Sequence, residues 1–457
     1  MQPRRRDQSA GRLSVDEHRA STGRAMVVGP YLKLQKINVG SHAARSPQAR
    51  IEEAIGLAVA IDLDVVETGI VTLNEIRPAT YIGKGKVEEI AGLVKANEIG
   101  LVVMDCALSP VQQRNLEKAW SAKVLDRTGL ILEIFGKRAQ TKEGVLQVEL
   151  AHLTYQKSRL VRSWTHLERQ RGGFGFLGGP GETQIEADRR VIEERIARIE
   201  AELEKVKKRR KLHRDSRARV PYPIAALVGY TNAGKSTLFN RMTRAKVLEA
   251  DMLFATLDPT LRSIDLPHGT RVILSDTVGF ISELPTMLVA AFRATLEEVT
   301  EADVILHVRD ISHQDSEAQM QDVQDVLKAL GIDEARRGRV IEVWNKIDAL
   351  DAQARAQVEN MAARVAPDHQ PLLVSALTGE GIDALLAAVE DRLAETRIVI
   401  DLEIDGADGA GLSWLHRNTE VIAKTIRDDG KVLLSVRADP TKAGQVRARF
   451  TGAIPVS

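Results

Sequence analysis

Residues 229–236 read Gly-Tyr-Thr-Asn-Ala-Gly-Lys-Ser, and residue types in this spacing are those that hold phosphate groups. Glycines let the backbone wrap with its N–H groups pointing inward, and a following helix adds the positive end of its dipole. The apolar residues 224–228 before the motif predict a buried strand, and residues 236–240 after it predict a helix. In this setting we expect Lys235 to contact the β- and γ-phosphates of a nucleotide and Ser236 to bind Mg²⁺.

A second motif, Asp276-Thr277-Val278-Gly279, follows the apolar run 272–274, which predicts another strand. A carboxylate at the end of that strand is suited to hold Mg²⁺ through a water molecule. Gly279 offers a backbone N–H to the γ-phosphate with no side chain in the way. The two motifs together predict binding and hydrolysis of a nucleoside triphosphate.

Two later motifs indicate which base is bound. Residues 340–344 predict a strand that ends at Asn345-Lys346-Ile347-Asp348, and residues 371–374 predict one that ends at Ser375-Ala376-Leu377. The carboxylate of Asp348 can accept two hydrogen bonds from the N1–H and the exocyclic amine of guanine, donors that adenine lacks. The Ser375 segment is expected to close over the base. Four motifs in this order predict GTP and disfavour a metabolic kinase, which has no use for such guanine selectivity.

Residues 253–260, Leu-Phe-Ala-Thr-Leu-Asp-Pro-Thr, lie between the first two motifs and contain two threonines. A threonine here would bind Mg²⁺ and sense the γ-phosphate, so that the segment is ordered only in the triphosphate state. We predict that Thr256 has this role, with Thr260 as the alternative; a threonine on a strand edge without such a role also stays open.

The residues predicted to act in hydrolysis are Lys235, Thr256 and Gly279, and the predicted metal ligands are Ser236, Thr256 and Asp276. The residues predicted to surround GTP or GDP are Gly229, Tyr230, Thr231, Asn232, Ala233, Gly234, Lys235, Ser236, Thr237, Phe254, Ala255, Thr256, Leu257, Asp258, Asp276, Thr277, Val278, Gly279, Asn345, Lys346, Ile347, Asp348, Ser375, Ala376 and Leu377.

The residue after Gly279 indicates how hydrolysis proceeds. In Ras-like enzymes a glutamine in this position orients the attacking water. Here it is Phe280, whose side chain can neither donate nor accept a hydrogen bond. The isolated domain is therefore expected to hydrolyse GTP slowly, or to take its water-positioning group from elsewhere.

Length, composition and net charge indicate what kind of protein contains this site. A chain of 457 residues predicts two or three domains. One cysteine, Cys106, excludes an intramolecular disulfide framework and fits the cytoplasm. No stretch approaches the roughly 18 apolar residues of a membrane span. The net charge of +1 gives no overall attraction to nucleic acid, so RNA binding would need local patches.

The chain divides into five segments. Residues 1–45 are polar and predict a disordered tail, and residues 46–141 alternate helix and strand patterns, which predicts a small α/β domain with a parallel sheet. Residues 217–396 contain the four motifs, and residues 397–457 predict a small α/β appendage. Within the second segment, residues 81–86 read Tyr-Ile-Gly-Lys-Gly-Lys; an anion site is possible there, but an ordinary turn is favoured.

The remaining segment, residues 142–216, has apolar residues in two heptad patterns separated by a glycine-rich break. This predicts two long helices folded back as a hairpin, an arm with little core of its own. The heptad residues are Leu146, Leu150, Leu153, Leu160, Trp164 and Leu167, then Ile185, Ile192, Ile196, Ile199, Leu203 and Val206.

The break itself, residues 172–184, carries Phe174 and Phe176 and is flanked by Arg169 and Arg171. Aromatic rings and guanidinium groups on a flexible tip suit unpaired RNA bases. Thr183 is predicted to cap the second helix, with Glu186 completing a capping box. The basic run 207–211 either contacts phosphate or is a solvated helix end, with neither favoured.

The tip sequence Gly-Gly-x-Gly-x-x-Gly-Gly-Pro-Gly-Glu-Thr-Gln, placed before a GTPase with Asp-Thr-Val-Gly-Phe, resembles the HflX family of ribosome-associated GTPases. The resemblance covers roughly residues 46–395. It implies an N-terminal α/β domain, a helical arm and a GTPase domain of Ras-like topology. It also implies binding to the large ribosomal subunit, with the arm near the peptidyl transferase centre, in splitting of stalled ribosomes or in subunit maturation.

The resemblance carries two further ligand expectations. Some members are reported to bind ATP in the N-terminal domain, which directs attention to Gly83 and Lys84. In related translation-associated GTPases an asparagine of the phosphate loop helps to hold K⁺, which implies that Asn232 does so here and that K⁺ accelerates hydrolysis. We expect a monomer. The alternative function is a GTP-dependent regulator of a protein partner, such as a membrane protease, without RNA binding.

Overall fold

The structure is a computed structural model. It describes residues 23–33, 45–170, 180–217, 222–244, 253–254, 256–257, 259–283, 293–332, 338–395, 398–427, 430–438, 440–450 and 454–455.

The N-terminal domain is a four-stranded parallel sheet in the order β2-β1-β3-β4, with helices between successive strands. Ser46 and Ser109 cap the first and third helices, each followed by a proline, which suits a helix start. The elements are β1 (Arg24–Leu32), α1 (Pro47–Val59), β2 (Asp64–Leu73), α2 (Lys84–Ala96), β3 (Leu101–Met104), α3 (Pro110–Trp120), β4 (Lys123–Asp126) and α4 (Arg127–Arg138).

The prediction of a disordered tail over residues 1–45 was wrong for residues 24–32. These residues form β1, which pairs with β2 on one side and β3 on the other. Seven consecutive residues of this strand are buried, from Ala25 to Tyr31, so apolar burial outweighs the polar composition of the surrounding segment. Residues 1–22 and 34–44 lie outside the described part of the chain.

The arm consists of α5 (Lys142–Gln170) and α6 (Pro180–Arg217). Ion pairs join Lys142 to Glu202, Glu149 to Arg195 and Lys157 to Glu193, so the two helices run antiparallel. Among the side chains that the structure describes, their apolar contact is small: Leu146, Ile199 and Leu203 are buried, with Leu150 and Leu153 partly buried beside them.

The predicted helix cap at Thr183 was wrong, because α6 already begins at Pro180 and Thr183 falls in its first turn. The tip at residues 171–179, with Phe174, Phe176 and Arg171, lies outside the described residues. So do the side chains of Trp164, Leu167, Arg169 and Ile185.

The third domain has a six-stranded sheet in the order β10-β9-β8-β5-β7-β6, parallel except for β6, which is antiparallel to β7. Each of the four motifs follows the carboxyl end of a parallel strand, so the topology gathers them at one edge of the sheet. The elements are β5 (Ile224–Gly229), α7 (Lys235–Thr243), β6 (Thr260–Asp265), β7 (Arg271–Asp276), α8 (Arg293–Glu301), β8 (Val304–Asp310), α9 (Ser316–Ala329), β9 (Val340–Asn345), α10 (Ala352–Ala363), β10 (Leu372–Leu373) and α11 (Ile382–Glu395), with 3₁₀ turns at Ile347–Ala349 and Pro367–His369.

The C-terminal domain is an antiparallel sheet in the order β12-β13-β11-β14 that packs on two helices. Its core includes Phe450, and the ring of Trp414 lies 6.1 Å from the Phe450 ring, which gives this tryptophan a packing role. The elements are β11 (Ile398–Asp405), α12 (Gly409–Asn418), β12 (Glu420–Ile426), β13 (Lys431–Ala438), α13 (Pro440–Arg449) and β14 (Ile454–Pro455). Across the described residues, every helix is too short or too polar to cross a bilayer.

Candidate nucleotide-binding site

The phosphate loop connects the end of β5 to the start of α7, as predicted. Gly234 precedes the helix with a φ of +89°. A Cβ atom on Gly234 would lie 2.3 Å from Nδ2 of Asn345, so a side chain fits neither the backbone conformation nor the space. Glycine here brings the loop against the guanine motif and leaves the N-terminus of α7 open toward a phosphate.

Lys235 is buried, and its ammonium group lies over the loop. Its Nζ donates to the carbonyl oxygens of Gly229 (3.2 Å) and Tyr230 (2.8 Å). Burial lowers the pKa of Lys235 to about 8, although the negative charge of Asp276 acts in the opposite direction. An ammonium group held in a dry site with only carbonyl partners is poised for an anion, and a phosphate oxygen supplies that charge.

The three predicted metal ligands lie together. Ser236 Oγ is 2.9 Å from Thr256 Oγ1, and both hydroxyls donate to Asp276 Oδ2, at 2.8 and 3.0 Å. The other carboxylate oxygen, Oδ1, is buried and has no hydrogen-bond partner among the described residues. Burial raises the pKa of Asp276. Two hydroxyls and a carboxylate are oxygen donors of the kind that Mg²⁺ prefers, and a cation would offset the buried charge. The residues present therefore fit Mg²⁺.

Thr260, the alternative to Thr256, starts β6 and is paired with Asp276 in the β6–β7 ladder. The structure therefore brings the Thr256 hydroxyl, and not that of Thr260, into the group formed with Ser236 and Asp276.

Gly279 lies against the phosphate loop. A Cβ atom on it would lie 2.8 Å from Thr231 Cγ2, 2.9 Å from Thr231 Cα and 3.1 Å from Lys235 Nζ. The close approach requires glycine and brings its backbone next to the ammonium group that is expected to contact the γ-phosphate. Phe280 N donates to Gly229 O (3.1 Å), and Thr231 N donates to Phe280 O (2.7 Å), which ties the two motifs together.

The guanine motif is connected to both neighbouring loops through one amide. Asn345 Nδ2 donates to Ala233 O (2.8 Å), and its Oδ1 accepts from Ala376 N (3.0 Å). Lys346 pairs with Asp310 at 2.8 Å. Asp348 is exposed and accepts a hydrogen bond from the Ser375 hydroxyl, which leaves its carboxylate at the open edge of the site.

Several residues that were predicted to surround the nucleotide have buried side chains. The side chains of Phe254, Leu257 and Val278 are buried in the core, at 2%, 2% and 7% exposure, so a contact of these residues with the nucleotide would have to come from their backbone. Their apolar character, which the motif pattern ignored, accounts for this burial.

The other residues predicted to surround the nucleotide differ in exposure and in the direction of their side chains. Tyr230 directs its ring toward the N-terminal domain, and the Thr277 hydroxyl donates to Leu227 O. Asn232 is exposed with a φ of +60° and lines a cavity of ≈320 Å³ beside α1, together with Thr231. Thr237 and Ile347 flank the site, half-buried and buried, and Leu377 is 69% exposed. Ala255 and Asp258 fall outside the described residues.

Sequence reasoning missed Arg241 on α7. Its Nε donates to Ala376 O (3.1 Å), and its Nη2 donates to Leu377 O, so it holds the segment that is expected to close over the base. Arg241 and Ala376 are 135 positions apart, so no local spacing in the sequence signals the contact.

Comparison with known proteins identifies the family of this chain. Four family models match in succession: "GTP-binding GTPase N-terminal" over residues 48–136, "GTP-binding GTPase Middle Region" over 138–217, "50S ribosome-binding GTPase" over 224–346 and "HflX C-terminal domain" over 360–456. A protein named GTPase HflX from Magnetococcus marinus is 49% identical over 400 residues, covering 88% of this chain and 90% of that protein. The chain belongs to the HflX family.

Other similar proteins include GTPase HflX from Escherichia coli, 46% identical over 79% of this chain and 83% of the relative. A GTP-binding protein from Sulfolobus solfataricus, solved in complex with GDP, matches with 23% identity and a TM-score of 0.41 over 81% of this chain and 99% of that one. As an HflX-family protein with a phosphate-loop fold, this chain is a GTPase that binds GTP and hydrolyses it to GDP and phosphate.

Proposed function

We propose that this HflX-family GTPase binds the large ribosomal subunit in its GTP form, close to the peptidyl transferase centre, and acts in splitting stalled ribosomes or in subunit maturation. The observation that carries the proposal is the arm formed by α5 and α6. Helix α6 has 38 residues, roughly 57 Å at 1.5 Å per residue, yet the described apolar contact between the helices is limited to the cluster around Leu146 and Ile199. Two long helices with so little described apolar contact between them are suited to reaching a partner.

Nucleotide gating would follow from the group formed by Ser236, Thr256 and Asp276. Bound Mg²⁺ would be held by the two hydroxyls, with Asp276 acting through water, and it would supply charge neutralisation at the phosphates. Thr256 and Gly279 belong to the two segments that close on the phosphate loop. Loss of the γ-phosphate removes what both segments contact, so hydrolysis would release them and lower the affinity for the ribosome.

The water-positioning group for hydrolysis would come from the ribosome, and K⁺ would act where other GTPases use an arginine finger. Phe280 is 2% exposed and packs in the core, so its ring offers nothing to an attacking water. Asn232 is exposed on the loop, which is compatible with helping to hold K⁺. Equal hydrolysis rates in KCl and NaCl would remove the K⁺ part of the proposal.

The ATP expectation at Gly83 and Lys84 receives less support. Lys84 lies 3.8 Å from Glu88 on its own helix, and Lys86 lies 2.7 Å from Glu89. Acidic neighbours weaken an anion site, so these contacts favour an ordinary helix start.

The test is co-sedimentation of the full chain with purified 50S and 70S particles, in a non-hydrolysable GTP analogue and in GDP, with the GTPase rate measured alongside. We expect analogue-dependent binding to 50S and a hydrolysis rate well above that of the free protein. The expected free protein is a cytoplasmic monomer.

The alternative, a regulator of a protein partner without an RNA role, predicts equal or absent sedimentation in both nucleotides. Neutralising Arg169 and Arg171 together distinguishes the two functions further. If the arm tip binds RNA, this double substitution should weaken ribosome binding and reduce its dependence on salt; a regulator of a protein partner without an RNA role predicts no such change.

A further inference from the structure

A largely buried group of polar side chains joins the N-terminal domain to the nucleotide site. We call Arg45, Glu53, Arg127, Tyr230 and Ser282 the interface cluster. The first three belong to the N-terminal domain: Arg45 precedes α1, Glu53 lies on α1 and Arg127 begins α4. Tyr230 is the second residue of the phosphate loop, and Ser282 lies three residues after Gly279. The cluster therefore contacts the phosphate loop and the segment after Gly279 at once.

The Tyr230 hydroxyl lies at the centre of the cluster. It donates to Glu53 and accepts from Arg45 Nη1 (2.7 Å) and from the backbone N of Ser282 (2.8 Å). A phenol hydroxyl has one hydrogen to donate and two lone pairs to accept with, so all of its capacity is used. The phosphate loop and the Ser282 segment are consequently linked through one oxygen atom.

Ser282 has further partners from the N-terminal domain. Arg127 Nη2 donates to the Ser282 carbonyl oxygen (3.1 Å) and hydroxyl oxygen (3.0 Å), and the hydroxyl donates to Glu53 Oε1 (2.7 Å). With the Tyr230 contact, the backbone and the side chain of Ser282 are both held. The position of the residues just after Gly279 therefore depends on the N-terminal domain.

Ion pairs stabilise the charged residues of the cluster, which are largely shielded from solvent. Arg127 is 6% exposed and pairs with Glu53 and, at 2.6 Å, with Asp105. Burial opposes the charge on Glu53, but Arg127 and Arg45 outweigh it and keep the pKa of Glu53 below its usual value. Removal of one partner leaves a buried charge unpaired, so the cluster acts as a unit.

An apolar contact fixes the other switch segment. Phe254, two residues before Thr256, packs edge-on against Phe135 of α4 with 4.8 Å between ring centroids. Its φ is +56°, a conformation that bulky residues avoid unless their surroundings impose it. Leu253 packs on α1 close to Gly56. The N-terminal domain thus contacts both segments that respond to the γ-phosphate.

We propose that the interface cluster and Phe254 stabilise the arrangement in which both segments close on the phosphate loop, so that the N-terminal domain sets the preference of the site for GTP over GDP. In this same structure Thr256 reaches Ser236 and Asp276, and Gly279 packs on Thr231, which is the closed arrangement that a triphosphate requires. Coupling between binding events is reciprocal, so GTP must in turn strengthen the seating of the N-terminal domain. The residues of the cluster are positioning residues, and the inference does not depend on the ribosomal role.

The sharpest test is Tyr230→Phe in the full chain, because it removes one oxygen atom. Dissociation constants are measured for a fluorescent GDP and for a fluorescent non-hydrolysable GTP analogue. We expect the affinity for the analogue to fall about 5- to 20-fold relative to that for GDP, within the usual range of allosteric coupling. Ser282→Ala removes only the hydroxyl contacts with Glu53 and Arg127. It should therefore lower the ratio of analogue affinity to GDP affinity in the same direction, but by less.

The matched control is Glu283→Ala, which breaks an exposed ion pair with Arg50 (3.2 Å) at the same interface and should leave the ratio unchanged. Hydrogen exchange of α1 provides the second readout. Wild-type α1 should exchange more slowly with the analogue than with GDP, and Tyr230→Phe should lose that difference. A merely structural role would weaken both nucleotides alike; such a result, or an unchanged ratio in both variants, overturns the proposal.

Discussion

Arg241→Ala should accelerate the release of GDP. The guanidinium holds two carbonyl oxygens of the Ser375 segment, those of Ala376 and Leu377. Because Arg241 is itself exposed, we assign each hydrogen bond a net stabilisation at the lower end of the usual range, ~0.5–1 kcal/mol. The two bonds together give ~1–2 kcal/mol, which corresponds to ~5- to 30-fold in affinity.

The effect should appear in the dissociation rate, because the segment is expected to close over the base once the nucleotide has entered. Stopped-flow release of a fluorescent GDP measures it directly. Arg241→Lys, which keeps the charge without the two-pronged geometry, should fall between the variant and the wild type. Arg355→Ala is the control, since its exposed ion pair with Glu380 lies beside the same segment without holding its carbonyls. A wild-type dissociation rate in Arg241→Ala would refute the reasoning.

Three further outcomes follow from the site. Asp348→Asn should lower the affinity for GTP by ~10- to 100-fold and raise that for xanthosine triphosphate, whose base offers an acceptor where guanine has an amine; competition binding with both nucleotides measures the exchange, and unchanged selectivity would contradict the guanine role. Gly279→Ala should reduce hydrolysis strongly while GDP affinity stays within ~3-fold, because the added methyl meets Thr231 only when the segment closes; parallel turnover and binding assays decide it. The Lys235 ammonium has a pKa of about 8 without nucleotide, below its usual value. At Lys235 the folded protein therefore binds fewer protons than the unfolded chain between about pH 8 and the usual pKa of a lysine. The contribution of Lys235 to the stability of the nucleotide-free protein should rise with pH in that window, while GTP affinity falls because binding must restore the proton. The difference in thermal stability between the wild type and Lys235→Met, measured across about pH 8–10, isolates this contribution and should change in favour of the wild type as pH rises; GTP titrations over the same range test the fall in affinity.

Motif spacing predicted the centre of the site because its geometry is local. A strand, a glycine-bounded loop and a helix start place Lys235 and Ser236 without reference to the rest of the chain. The convergence of Ser236, Thr256 and Asp276 also follows from ordered motifs at one sheet edge. The placement of the phosphate and guanine motifs at one edge of the sheet could therefore be predicted from residue types alone.

The remaining features depend on tertiary contacts that no spacing encodes. Tyr230 and Phe254 stand inside nucleotide motifs, yet their side chains pack on the N-terminal domain, since burial of a ring gains more than exposure at a polar site. Strand β1 was not predicted from the sequence, because a nine-residue strand is too short to change the polar average composition of its segment. Arg241 shows the same limit, since its partners are distant in sequence.

The position of β1 has a consequence for the order of events during synthesis. Strand β1 is an interior strand of its sheet, and it is synthesised before both of its neighbours, β2 and β3. Until they arrive, an apolar strand with two unpaired edges is exposed to pairing with other chains. A shortened chain that begins at residue 46 would create the converse problem, because β2 and β3 would lack the strand that joins them. Aggregation during expression is the expected symptom in both cases: in the nascent chain it would begin at the strand from Arg24 to Leu32, and in the shortened chain at the edges of β2 and β3 that this strand would have covered.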